Sequence, residues 1–88
     1  MKPACKKVWD HYEEGQITRT GFVIDFLNAA DQEDLREGLE VLPPELLEEL
    51  RDFVAIYRPD MLIIRGRPPK PAAVKMAREV LANTVKSP

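Results

Sequence analysis

The search for a catalytic nucleophile with a histidine base starts from three residues: Cys5, His11 and Ser87. Each is the only residue of its type in the sequence. Cys5 and His11 are six positions apart, so one helix would place them about 240° apart in azimuth and about 9 Å apart along its axis. A Ser-His-Asp arrangement would depend on the second-last residue of the chain. We therefore interpret Cys5 as a stray thiol and His11 as a surface imidazole, and we expect no catalytic residues.

The sequence also has few residues suited to holding a metal or a cofactor. A zinc site needs several Cys or His ligands, and this chain supplies at most one of each. Asp31, Glu33 and Asp34 suit the positive end of a helix better than a calcium loop, because the glycine and the distal glutamate of such a loop are missing. The four glycines are isolated and form no phosphate-binding loop. We expect no metal, no cofactor, no small-molecule substrate and no enzymatic activity.

The formal charge changes sign along the chain. Residues 8–57 contain thirteen acids and three bases, a net charge of −10, whereas residues 58–88 contain seven bases and two acids, a net charge of +5. Three lysines in the first seven residues bring the whole chain to −2. An acidic body followed by a basic, proline-rich portion favours a binding protein over a catalyst.

The basic segment 65–71 reads Arg-Gly-Arg-Pro-Pro-Lys-Pro. Arg65-Gly66-Arg67-Pro68 resembles the core of an AT-hook, a short motif that binds the minor groove of A·T-rich DNA. That resemblance implies that Arg65 and Arg67 enter the groove, that Gly66 lets the backbone lie close to it, and that Lys70 adds flanking charge. The residue before the core is Ile64, where the motif has a proline or a base.

Two other interpretations of the same segment remain open. The spacing of Arg65, Pro68 and Pro71 fits a basic residue followed by PxxP, which SH3-type grooves bind as a polyproline II helix. Alternatively, the prolines make a stiff connector whose bases stay in solvent or lie against acidic helices.

The apolar spacing predicts five helices, at about residues 4–14, 19–30, 32–42, 44–58 and 72–85. Pro3 and Gly15 suit the two ends of the first helix, and Thr18 and Asp31 suit the N-caps of the second and third. The second helix is the most apolar, and Asp25 falls on its one polar strip, where we expect it to be exposed. The fourth helix presents acids on its outer face: Glu45, Glu48, Glu49 and Asp52.

An apolar run of four residues follows the fourth helix: Met61, Leu62, Ile63 and Ile64. It suits either one helical turn or a short strand, and a lone strand would favour pairing between two copies of the chain. The run is far too short to span a membrane.

These observations predict an all-α protein, a small antiparallel bundle of about five helices with an extended basic segment before the last one. We expect one domain, made of an acidic bundle (1–64), a basic connector (65–71) and an amphipathic helix (72–88). The function that they favour is a non-enzymatic, cytoplasmic protein-interaction module, an adaptor or regulatory subunit that binds a protein partner or itself as a homodimer. The interaction residues would be Met61–Ile64 and the four acids of the fourth helix. DNA association through Arg65, Gly66, Arg67 and Lys70 is the alternative.

Overall fold

The computed structural model describes residues 1–58 and 69–85, which form five α-helices. They are α1 (Pro3–Glu13), α2 (Arg19–Ala29), α3 (Gln32–Val41), α4 (Pro44–Ile56) and α5 (Pro71–Val85). These ranges contain no strand, and the predicted all-α helical bundle is confirmed. The question of strand or helical turn at Met61–Ile64 falls outside the described residues.

Helix α2 lies at the centre of the fold and contacts α1, α4 and α5. Its four fully buried side chains are Phe22, Val23, Phe26 and Leu27. The Phe22 and Phe26 rings stack at 5.4 Å, and Tyr12 of α1 packs against Phe22 at 5.7 Å. The helix begins as predicted at Thr18, whose hydroxyl accepts a hydrogen bond from the backbone N–H of Gly21 at 3.0 Å.

Helix α3 begins with a capping box, in which Asp31 and Asp34 each accept a hydrogen bond from the backbone N–H of the other. The predicted Asp31 N-cap is therefore confirmed. Farther along the helix, Gly38 is buried against the core. A Cβ atom at Gly38 would lie 3.1 Å from Cζ of Phe26 and 3.3 Å from Cδ1 of Leu42, so glycine leaves room for the Phe26 ring against α3.

Helix α5 completes the core, and it contacts α2, α3 and α4. Its buried side chains are Ala73, Val74, Ala77, Val80 and Leu81. Pro71 begins this helix one residue before the predicted start, which corrects the prediction of an extended chain at residue 71; residues 65–68 lie outside the described ranges. A proline is tolerated at the first helical position because its missing N–H would have no partner within the helix there.

In residues 1–58 and 69–85, no helix has the length and the apolar character needed to cross a membrane.

Candidate functional site

The outer face of α4 carries the four acids that the sequence analysis singled out. Glu45, Glu48 and Asp52 are exposed, while Glu49 is half-buried and accepts a hydrogen bond from the Thr20 hydroxyl at 3.0 Å. We call these four residues the acidic face. Three of its carboxylates point to solvent, and the fourth ties α4 to the start of α2.

A large apolar side chain lies at the C-terminal end of the acidic face. Ile56 is 66% exposed, the highest value among the large hydrophobic residues that the structure describes. It follows Asp52 by four positions, Glu49 by seven and Glu45 by eleven, so it shares their side of the helix. The opposite side of α4 is buried in the core through Leu46, Leu50 and Val54.

The C-terminal end of α4 is held by a charged residue of α5. Arg78 of α5 donates through Nε to the carbonyl oxygen of Val54 at 2.7 Å and through Nη2 to that of Tyr57 at 2.5 Å. Phe53 stacks on Tyr57 at 5.6 Å beside this contact. The last carbonyls of a helix have no partner within it, and α4 ends without a glycine cap, so a cationic partner could have been expected there.

A second polar cluster joins the starts of α1 and α3 around the buried carboxylate of Asp34. Its Oδ1 accepts the backbone N–H of Lys2 at 3.0 Å, and its Oδ2 accepts that of Asp31 at 3.2 Å. The Lys2 ammonium lies 3.6 Å from Oδ2. Burial acts to raise the pKa of Asp34, but the hydrogen bonds from Lys2 and Asp31 outweigh it and hold the pKa below its ordinary value.

Cys5 is fully buried, and its thiol lies next to the carboxylate of Asp34. Burial, together with the charge of Asp34, raises the pKa of the Cys5 thiol to about 11. The thiol is therefore protonated at neutral pH and is a poor nucleophile. The sequence signal for burial was its spacing, since Cys5 precedes Val8, Trp9 and Tyr12 at helical intervals.

Of the basic segment 65–71, the structure describes only residues 69–71. Pro69 is fully buried, so this end of the segment packs against the fold, while the Lys70 side chain is exposed. The backbone N–H of Lys70 donates to Oδ1 of Asn28 at 2.9 Å. Arg65, Gly66 and Arg67 lie outside the described residues, as does the apolar run Met61–Ile64.

Lys70 lines a groove of about 500 Å³ between α1 and α2. Lys7 and His11 from α1 line the same groove, together with Asp25 of α2. His11 and Asp25, both predicted to be exposed, are half-buried there. The sequence analysis did not predict that Lys70 shares a groove with Lys7, His11 and Asp25.

The described residues contain no group of three or more His, Cys, Asp or Glu side chains arranged to hold a metal ion. Comparison with protein-family models, with curated proteins and with solved structures finds no match for this chain.

Proposed function

We propose that the protein is a non-enzymatic interaction module whose acidic face binds a basic segment of a partner protein. The observation that carries the proposal is the row of exposed carboxylates on α4 that ends at the exposed Ile56. We propose an adaptor or regulatory subunit, located in the cytoplasm, that also associates with itself.

The chemistry of this face specifies the kind of partner. Lysine and arginine side chains on the partner would complement Glu45, Glu48 and Asp52, and an apolar side chain would contact Ile56. Complementary charge accelerates encounter and selects the partner, while burial of apolar surface such as Ile56 slows dissociation. An amphipathic helix with a basic flank and one or two leucines meets both requirements.

The contacts of α4 with α2 and α5 support a binding role, because they order the acidic face before the partner binds. The Thr20–Glu49 hydrogen bond holds the middle of the helix, and Arg78 holds its C-terminal end. A surface that is already ordered loses less conformational entropy on binding.

The test is a titration of the ¹⁵N-labelled protein, monitored by NMR, with a synthetic helical peptide of lysine and leucine residues. A peptide with glutamine in place of lysine is its matched control. We expect amide shifts to concentrate at residues 45–56 with the first peptide and to be absent with the second. Shifts spread evenly over all acidic residues, or equal responses to both peptides, would contradict the proposal.

DNA association is a second candidate, and the position of Lys70 favours it. Lys70 lines one groove with Lys7, beside the carboxylate of Asp25, so the basic segment meets one additional ammonium group at its end. The test is to titrate A·T-rich and G·C-rich duplexes at low and moderate salt, with an Arg65→Ala/Arg67→Ala variant as the control. An affinity that depends neither on base composition nor on salt concentration would rule out this function.

A further inference from the structure

One guanidinium group binds the backbone on both sides of Ile56, the exposed apolar residue at the end of the acidic face. Arg78 donates through Nε to the carbonyl oxygen of Val54, which is two residues before Ile56, at 2.7 Å. Its Nη2 donates to the carbonyl oxygen of Tyr57, which is the next residue after Ile56. The position of Ile56 therefore depends on a contact between α4 and α5.

The residues around Ile56 are fixed by burial, whereas Ile56 itself is not. Val54 and Tyr57 are buried, and the backbone N–H of Tyr57 donates to the carbonyl oxygen of Phe53 at 3.0 Å. The side chain of Ile56 is 66% exposed, so packing within the chain does little to hold it. An isoleucine in a helix has one strongly preferred rotamer, so a fixed backbone also fixes the direction of this side chain.

The last turn of α4 needs support from outside the helix. The final carbonyls of a helix have no partner within it, and cations stabilise the negative end of its dipole. The last turn of α4 contains no basic residue. Arg78 supplies from α5 both the positive charge and the donors, which opposes fraying of the turn that carries Ile56.

From these contacts we infer that Arg78 is a positioning residue for binding, which orders Ile56 to receive one apolar side chain of the basic partner. The inference rests on the proposed function and deepens it, because it divides the work of the surface between charge and apolar contact. The exposed carboxylates of the acidic face attract basic partners in general. Ile56, ordered by Arg78, selects those partners that carry an apolar residue beside their bases.

The test compares two peptides by calorimetry: the lysine–leucine peptide and a version with alanine in place of leucine. We expect the wild type to bind the leucine version about tenfold more tightly, and Arg78→Ala to reduce this preference to about threefold or less. Ile56→Ala should abolish the preference. Adding Arg78→Ala to Ile56→Ala should then change the ratio no further, because both substitutions act on the same contact.

Lys75→Ala is the matched control, since it removes one positive charge from an exposed position of the same helix and should leave the preference unchanged. Charge alone predicts the opposite result for Arg78→Ala, because the loss of a cation beside the acidic face would strengthen the binding of both lysine peptides. Arg78→Lys keeps the charge and part of the hydrogen bonding, so it should give an intermediate preference. Circular dichroism checks folding, and Arg78→Lys carries the test if Arg78→Ala does not fold.

An Arg78→Ala variant that keeps the full preference for leucine, or that loses affinity equally for both peptides, would refute the inference and leave the proposed function standing. Equal affinity of the wild type for the two peptides would also overturn the inference, because Ile56 would then receive no apolar side chain. A wild type that binds neither peptide would refute the proposed function, and the inference with it.

Discussion

The carboxylate of Asp34 accepts a hydrogen bond from the backbone N–H of Lys2, 32 positions earlier in the sequence, at 3.0 Å. The same carboxylate closes the capping box of α3 with Asp31. One buried side chain therefore satisfies backbone donors at the starts of two helices, α1 and α3. This links the start of α1 to the start of α3.

Asp34→Asn should destabilise the fold by about 1–2 kcal/mol, because an amide offers only one acceptor oxygen to two partly buried backbone donors. The free energy of unfolding in urea measures the effect. Asp52→Asn removes the same charge from an exposed position and should change stability by no more than about 0.5 kcal/mol. Equal costs for the two variants would show that the buried hydrogen bonds do not stabilise the protein.

The cost of Asp34→Asn should also depend on pH. The pKa of Asp34 in the folded protein lies below its ordinary value of 3.8, so its stabilising contribution is present above that pH and is lost as the pH falls through the folded pKa. The difference in unfolding free energy between the wild type and Asp34→Asn should therefore be full near neutral pH and shrink on acidification below 3.8. A difference that stays constant would contradict the assigned direction of the shift.

Cys5 should resist alkylation in the folded protein. Its thiol is fully buried and has a pKa of about 11, so the reactive thiolate is scarce and inaccessible near neutral pH. We expect iodoacetamide to react at least about 100-fold more slowly with the native protein than with the urea-unfolded protein. The chain has one cysteine, so mass spectrometry gives an unambiguous readout. Native labelling as fast as that of the unfolded chain would contradict the burial.

Gly38→Ala should destabilise the protein although alanine is the better helix former by about 1 kcal/mol. The added Cβ would lie 3.1 Å from Cζ of Phe26, a ring that is fully buried and stacked on Phe22 and therefore has little room to move. Overpacking costs about 1–3 kcal/mol, so we expect a net loss of about 1 kcal/mol by urea unfolding.

The control for this prediction introduces Gly38→Ala into a variant in which Phe26 is replaced by the smaller leucine. In a Phe26→Leu background the ring atom next to Gly38 is gone and only Cδ1 of Leu42 at 3.3 Å stays close, so Gly38→Ala should cost less than in the wild type. An equal loss in both backgrounds would mean that contact with Phe26 does not determine the effect.

Arg78→Ala should destabilise the protein by about 1–2 kcal/mol, because it leaves the carbonyls of Val54 and Tyr57 without their charged donor. Arg78→Lys should recover only part of this loss, since an ammonium cannot reproduce the planar pair of donors. Lys75→Ala, at an exposed position of the same helix, is the control and should have little effect. Equally small losses of unfolding free energy for Lys75→Ala and Arg78→Ala would contradict the prediction.

The sequence alone predicted those features of the fold that depend on residues close together in the chain. The caps at Thr18 and Asp31 and the acidic outer face of α4 all follow from residue type and helical spacing. Pro71 was misjudged because it follows Pro68 and Pro69, which together suggested an extended segment, although a proline also suits a first helical position.

The features that the sequence did not predict are contacts between residues far apart in the chain. Arg78 reaches carbonyls 24 and 21 positions earlier, and Lys70 reaches Asn28 across 42 positions. Whether a charged residue on an amphipathic helix stays in solvent or binds the end of another helix depends on how the helices pack. Helical periodicity alone carries no information about that packing.

The central claim, that the acidic face of α4 binds a basic partner, is tested most directly by the affinity for the lysine–leucine peptide. Glu45→Gln/Glu48→Gln/Asp52→Asn removes three exposed charges from the face, and Glu13→Gln/Glu14→Gln/Glu33→Gln removes three exposed charges elsewhere. We expect calorimetry to show at least about a tenfold loss of affinity for the first variant and little loss for the second. Equal losses would mean that only the total charge of the protein attracts the peptide, and the claim would be wrong.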